Sequence, residues 1–349
     1  MKNKNVVIII AIILCIVFLV GMRKTANDAN SEADNGIKII GYWENYVDSN
    51  YYKPLKLKEV SELYDVINIA FARASKSNDG KVEFALNEYL CKTVNYSKEE
   101  FKQDIKEMQK KNKKILISIG GESGGEFKLT NTNEVENFVT STKAIIDEYG
   151  FDGIDIDIES GNVDIEYCKK ALTEIYDTYD GNKLLTINSS LTDMKTADVN
   201  DGVDNVWYQI SRDLKDKIWL VSSRYYNSGT QSGYDFPTVY SREQGHISFI
   251  TSIAVKQLED AKLNNNNIGI SILATESPIT TLPQAYMEPK DIVKALSSII
   301  EGINPKSDYK NFVPPSAHPE LKAVTIWSIN KDAYHDYRMA KEISKYFEK

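Results

Sequence analysis

The chain has 349 residues, of which 42% are hydrophobic and 26% charged, enough to bury a large core in one domain or two. Its formal net charge is −8, from 50 acidic and 42 basic side chains. Phosphate binding needs a concentrated basic face, and the sequence shows none, which argues against a nucleic-acid partner and suits a neutral ligand.

The N-terminus has the layout of an export signal. Two lysines precede an uncharged apolar run from Val6 to Val20, and a basic pair follows it. No clear Ala-x-Ala cleavage pattern comes after the run, which favours an uncleaved anchor through residues 6–22 over a cleaved signal peptide. We expect residues 1–24 to be a signal peptide or signal anchor. The protein is then extracytoplasmic, either membrane-anchored or secreted.

Residues 25–36 are small and polar, which predicts a flexible linker. Beyond it, short runs of Ile, Val and Leu alternate with longer amphipathic stretches. The runs predict strands at Ile37–Tyr42, Val66–Ala72, Lys114–Ile119, Ile154–Ile158, Leu184–Asn188, Ile218–Ser222, Ile268–Leu273 and Ala323–Trp327. The amphipathic stretches predict helices at Ser97–Asn112, Asn133–Tyr149, Ile165–Tyr179, Glu288–Gly302 and Tyr334–Phe347.

Strands that are apolar almost throughout belong to parallel sheets covered on both faces. Eight of them, each followed by helical sequence, predict a single α/β domain over residues 37–349, a (β/α)8 TIM barrel without a sizeable insertion domain. An open doubly wound sheet is the main alternative. It usually carries a glycine-rich first turn, which Gly41–Tyr46 lacks. The segments 192–217 and 228–250 are expected to be long loops at the barrel mouth.

Cysteines and histidines are few. Cys91 and Cys168 are the cysteines of the expected barrel, and whether they pair is left open. Their separation and the three scattered histidines fit no metal-site spacing, so neither a metal nor a cofactor is expected.

The run from Asp152 to Glu159 alternates acids with isoleucines. On a strand, Asp155, Asp157 and Glu159 point to one face, which in a barrel is the interior, rising toward the carboxyl-end mouth. Like charges stacked this closely share protons, which raises the pKa of at least one of them and provides a general acid. Glu159 is uppermost and longest and is the expected proton donor. A calcium loop would not place a β-branched residue at every second position.

This run resembles the signature of family-18 glycoside hydrolases, the chitinase family. Further motifs are similar to that family in the same order along the chain: Gly41–Trp43, Ile115–Gly121, Arg224–Asn227 and Ala323–Asn330. Together they span most of the expected barrel and fall on its predicted strands.

The resemblance implies a retaining, substrate-assisted mechanism. Glu159 would protonate the glycosidic oxygen and later activate water, while the substrate's 2-acetamido oxygen acts as nucleophile. Asp157 would bond the acetamido N–H, Asp155 would be its proton partner, and Tyr226 would donate to the acetamido group. Tyr42 and Ser118 would hydrogen-bond Asp155 and lie around the substrate. The other implied substrate-binding residues are Gly120, Gly121 and Asn227. Trp327 would form the floor under the sugar. Asp152, of opposite parity, is expected to be structural.

The chain departs from the family pattern at Arg224, where many relatives carry Gln or Met. Little room for an insertion before the last strand indicates an open cleft and internal attack. We expect an endo-chitinase, acting as a monomer on an N-acetylglucosamine oligo- or polysaccharide. An endo-β-N-acetylglucosaminidase acting on glycoprotein glycans or peptidoglycan and a catalytically weak chitin-binding lectin stay open as alternatives.

Overall fold

The computed structural model describes residues 36–47, 51–194, 205–276, 286–307 and 309–347. The predicted signal segment and nearly all of the predicted linker lie outside these residues. Within the described ranges, no helix is long and apolar enough to cross a membrane.

The architecture is a closed parallel barrel. The strands of the described residues are β1 Lys38–Glu44, β2 Val66–Ala74, β3 Val82–Glu83, β4 Lys114–Gly120, β5 Phe127–Leu129, β6 Gly153–Asp157, β7 Gly161–Val163, β8 Leu184–Ser190, β9 Leu220–Arg224, β10 Thr230–Gln231, β11 Arg242–Glu243, β12 Ile268–Leu273 and β13 Ala323–Trp327. Eight of them (β1, β2, β4, β6, β8, β9, β12 and β13) pair in parallel in that order, and β1 also pairs with β13. The predicted TIM barrel is confirmed.

The five predicted helices are present, mostly with bounds within two residues of those expected, but β1 is followed only by a short 3-10 helix, Leu57–Glu59. The described helices are α1 Glu88–Val94, α2 Lys98–Lys110, α3 Thr132–Tyr149, α4 Ile165–Thr178, α5 Val206–Asp213, α6 Ile247–Leu258, α7 Pro289–Glu301, α8 Ile329–Tyr334 and α9 Arg338–Phe347. Polar caps fix several starts: Ser97 forms a capping box with Glu100, and Asp164 accepts from two N–H groups of α4.

Two predicted boundaries are wrong. The sixth barrel strand was expected at Ile218–Ser222 but runs from Leu220 to Arg224, because its upper half is polar where it faces the barrel interior. The segment 192–217 was expected to be a loop, yet it contains α5, whose buried side includes Trp207 and Ile210.

The C-terminal helix, predicted over Tyr334–Phe347, begins later than expected: α9 starts at Arg338, after the separate short helix α8. Asp336 and Tyr337 both have φ of 57°, which ends α8 and starts a new chain direction. The buried Asp332 carboxylate explains the break: it accepts the N–H groups of Met339 (2.8 Å) and Ala340 (3.1 Å) at the start of α9, and the Tyr64 hydroxyl (2.7 Å). This side chain therefore joins α9 to the rest of the barrel.

We expect Asp332→Ala to lower the free energy of unfolding by about 2–4 kcal/mol, because three buried donors lose their acceptor. Urea denaturation followed by circular dichroism measures this change. Asp336→Asn is the matched control, since that exposed carboxylate lies in the same linker and bonds only Lys341 among its described partners, and asparagine tolerates its left-handed backbone. Equal denaturation midpoints for the two variants would contradict the capping role.

The barrel separates two kinds of side chain by strand parity. Ile154, Ile156 and Ile158 lie in the large apolar core between strands and helices, as predicted. Inside the barrel, Ile40, Val66, Leu116, Leu220 and Ala323 form a separate buried cluster, which we call the apolar floor. The inward side chains one layer above this floor are mainly polar.

Candidate active site

Asp155 lies at the centre of the polar layer, 1% exposed. Its carboxylate accepts hydrogen bonds from Tyr42 (2.8 Å), Ser118 (2.7 Å) and Thr186 (2.6 Å), which come from β1, β4 and β8. Burial raises the pKa of Asp155, and the three hydroxyl donors offset part of that rise. The predicted places of Tyr42 and Ser118 beside Asp155 are confirmed. Thr186 was not predicted, although it is the polar residue in the otherwise apolar first half of β8.

Asp157 and Glu159 lie above Asp155 at the carboxyl end of β6. Asp157 is 4% exposed, whereas 32% of the Glu159 side chain is exposed to the mouth. Burial raises the pKa of Asp157 well above its ordinary value, and the Arg224 guanidinium acts to lower it. Arg224, at the end of β9, donates from Nη1 to Asp157 Oδ1 and to Glu159 Oε1, the latter at 2.7 Å. A cation therefore joins the upper two acids, an arrangement that sequence analysis did not foresee.

An aromatic group borders the acids. The centroid of the Trp327 ring lies 5.3 Å from that of the Tyr42 ring and 5.7 Å from that of the Phe71 ring. The Trp327 and Phe71 rings are nearly parallel. Tyr42 bonds Asp155, so Trp327 lies beside the acidic group, while its role as the floor under the sugar stays a prediction. Phe71 was not predicted: strand parity points it away from the interior, but a register shift between Ala70 and Ala72 interrupts the alternation.

Tyr226 follows β9 and packs in a small cluster with Leu273, against the partly buried Trp327. Burial raises its pKa, so its hydroxyl stays protonated and can donate a hydrogen bond. Asn227 is exposed, with φ of 50°, a left-handed conformation that asparagine tolerates better than most residues. Its predicted contact with the sugar stays a prediction.

Gly120 and Gly121 lie where β4 meets β6. A Cβ on Gly120 would come within 2.1 Å of the Asp157 carbonyl oxygen, and one on Gly121 within 2.5 Å of the Phe71 ring. The Gly121 N–H donates to the Asp157 carbonyl at 2.8 Å. Both glycines thus allow the close backbone approach that places Asp157, while their predicted contact with substrate stays a prediction.

Asp152 has the structural place expected from its parity. Its carboxylate accepts the Ile115 N–H (2.8 Å) and a Gln109 amide hydrogen (3.0 Å), tying α2 to the lower ends of β4 and β6. Cys91 and Cys168 are both free thiols and form no disulfide. Among the described residues, no group of three or more His, Cys, Asp or Glu side chains is arranged to hold a metal ion.

The segment between β9 and α6 is held by a second buried arginine. Arg242 is 1% exposed and donates to Asp235 from Nε at 3.1 Å and from Nη2 at 2.5 Å. Ser252 on α6 also donates to Asp235, at 2.9 Å. The predicted loop 228–250 therefore contains the short antiparallel pair β10–β11 and is anchored to α6.

Carboxylates at the carboxyl-end mouth of a (β/α)8 barrel, next to the aromatic ring of Trp327, define a site of the glycoside-hydrolase type. The comparisons with known proteins agree. The family model for glycosyl hydrolases family 18 matches residues 38–340, and the chain belongs to that family.

Relatives named as chitinases agree with this family, and a solved structure shares the fold. The chain is 30% identical to Chitinase D of Niallia circulans over 339 residues and 28% identical to Chitinase Chi52 of Paenibacillus xylanexedens over 338. These matches cover 89% of this chain but 62% and 61% of the relatives, so it spans about three-fifths of their length. The crystal structure of a family GH18 chitinase from Chromobacterium violaceum shares the fold, with a TM-score of 0.77 at 24% identity, covering 90% of this chain and 84% of that one.

Proposed function

We propose that this protein is a retaining glycoside hydrolase that cleaves β-1,4 linkages within N-acetylglucosamine polymers, with chitin as the substrate class. The observation that carries the proposal is the stack of Asp155, Asp157 and Glu159 beside Tyr226 and Trp327. Its relatives named as chitinases, and its family, support the same substrate class.

In the first step, Glu159 gives its proton to the glycosidic oxygen and the C–O bond to the leaving sugar breaks. The 2-acetamido oxygen of the substrate attacks the anomeric carbon from the other side, which forms an oxazolinium ion. In the second step, Glu159 accepts a proton from water, and the resulting hydroxide equivalent attacks the anomeric carbon. The bond to the acetamido oxygen then breaks, and two inversions give net retention.

The remaining side chains support this chemistry by position. In this proposal, Asp157 accepts the acetamido N–H and balances the positive charge that develops on the oxazolinium ion. The protonated Tyr226 hydroxyl is placed to donate to the acetamido oxygen. Trp327 offers an aromatic face at the mouth on which the sugar can rest.

An open cleft supports attack within the polymer. Between β12 and β13, the described residues form α7 and connecting segments and add no further sheet. Long chains can then cross the mouth without threading. We also propose that the protein works as a monomer outside the cytoplasm, membrane-anchored or secreted, on the basis of its basic and apolar N-terminal sequence.

The test compares product release from chitin oligomers, a high-mannose glycopeptide and peptidoglycan, with a chromogenic chitotrioside to measure rates. We expect internal cleavage of chitin oligomers with retained anomeric configuration, read by proton NMR of early products. Faster release from the glycopeptide or peptidoglycan would favour an endo-β-N-acetylglucosaminidase. Oligosaccharide binding without release would indicate a lectin and overturn the proposal.

A further inference from the structure

Arg224 connects two strands that are not neighbours in the barrel. It ends β9, and its side chain reaches past β8 to the acids at the end of β6. Only 11% of the side chain is exposed. A single nitrogen, Nη1, donates to Asp157 Oδ1 and to Glu159 Oε1. Charge-assisted hydrogen bonds are strongest when the acceptor is an ionised carboxylate, so the guanidinium opposes the rise in pKa that burial causes at Asp157.

The surroundings make Arg224 the source of positive charge in the site. Among the described residues, the titratable and charged groups that face the Asp157–Glu159 pair are Asp155 below it on β6, Tyr42 on β1, Tyr226 after β9, and Arg224 itself. Burial raises the pKa of both tyrosines, which stay neutral. The Asp155 carboxylate already accepts hydrogen bonds from three hydroxyl groups. The guanidinium charge therefore acts mainly on the upper two acids.

Two carboxylates this close usually share a proton, because both cannot ionise without strong repulsion. Here one nitrogen of the Arg224 guanidinium hydrogen-bonds both carboxylates. We propose that Arg224 is a positioning residue that competes with the proton for this pair of carboxylates and thereby moves the activity of the enzyme to lower pH. This inference rests on the proposed function, in which Glu159 must carry a proton for the first step.

The direction of the effect follows from the charge. A nearby cation favours loss of the pair's last proton, so the general acid is lost at a lower pH than in a site without the arginine. The basic limb of kcat/KM against pH, which reports this loss in the free enzyme, is therefore displaced to lower pH. Removing the charge returns the limb to higher pH.

Three substitutions separate charge from hydrogen bonding. Arg224→Gln keeps a donor without the charge, Arg224→Met removes both, and Arg224→Lys keeps the charge. With a chromogenic chitotrioside as substrate, we expect the midpoint of the basic limb of kcat/KM to lie about one pH unit higher in the two uncharged variants than in the wild type. The lysine variant should stay close to the wild type. Either uncharged variant suffices if the other does not fold. Limbs that coincide with the wild type, or a lysine variant that moves as far as the glutamine variant, overturn the proposal.

A second readout needs no turnover. Protein labelled with carbon-13 at the aspartate side-chain carboxyls reports each carboxyl by NMR, and Asp157 is assigned by the signal lost in Asp157→Asn. We expect the Asp157 titration to move to higher pH in Arg224→Gln, because the cation that lowers its pKa is gone.

Arg242→Gln is the matched control, because it removes the other buried guanidinium described above. That guanidinium pairs with Asp235 in the segment that precedes α6. It should leave the Asp157 titration unchanged. An Asp157 signal that does not move in Arg224→Gln overturns the inference, even if the enzyme is active. Failure of the wild type to cleave any N-acetylglucosamine polymer would instead overturn the proposed function and leave this titration result standing.

Discussion

Replacing Glu159 by glutamine should lower kcat on chitin oligomers by a factor of about 10²–10⁴, the range associated with loss of a general acid–base group. The amide cannot give up a proton to the glycosidic oxygen at neutral pH. Its oxygen can still accept from Arg224, so the local geometry is retained. Steady-state rates on a chromogenic chitotrioside measure the loss, and calorimetry should show oligosaccharide affinity within a few-fold of the wild type.

Glu166→Gln is the matched control for this variant. Glu166 is an exposed glutamate in the first turn of α4, and its ion pair with Lys169 lies on the surface. It undergoes the same change of charge and should keep wild-type rates. A Glu159→Gln enzyme that retains more than about a tenth of wild-type kcat would be incompatible with the general acid–base role.

Replacing Asp157 by asparagine is expected to lower kcat by a factor of about 10²–10³, the usual effect of removing one preorganised electrostatic partner of a transition state. The variant keeps the side-chain shape and an oxygen acceptor for Arg224, but it removes the negative charge next to the developing oxazolinium ion. The loss should appear in kcat more than in KM, because the charge develops after substrate has bound.

Affinity for a stable, positively charged thiazoline analogue of the intermediate gives an independent measurement. It should weaken in Asp157→Asn in parallel with kcat, since both report the same charge interaction. Asp152→Asn is the matched control, an acid of the same run whose carboxylate binds Ile115 and Gln109 instead of facing the site. Unchanged analogue affinity in Asp157→Asn would refute the electrostatic role.

Strand periodicity was enough to predict which acids of the run from Asp152 to Glu159 face the barrel interior. The alternation of acids and isoleucines from Asp152 to Glu159 is a local property, so parity alone separated Asp155 and Asp157 from Asp152. Eight apolar runs with helical sequence between them likewise predicted the barrel, because a strand covered on both faces leaves a continuous apolar signature.

Features that depend on distant parts of the chain were beyond sequence reasoning. Whether Arg224 reaches Asp157 depends on how far β9 lies from β6 across an intervening strand. Phe71 reaches the site through an irregularity in strand pairing that has no clear sequence signal. The start of α9 likewise depends on Asp332, a side chain of the preceding helix, which accepts N–H groups of α9; helical periodicity gives no signal of that contact.

The apolar floor under Asp155 has a consequence for hydrogen exchange. The floor closes the barrel from below, and the Tyr42, Ser118 and Thr186 hydroxyls that surround Asp155 are each buried. Because these hydroxyls are buried, solvent can exchange their protons only when the barrel opens locally. They should persist as slowly exchanging signals in water and move together when Asp155 changes its charge. The protein thus carries an internal reporter of protonation that needs neither substrate nor added label.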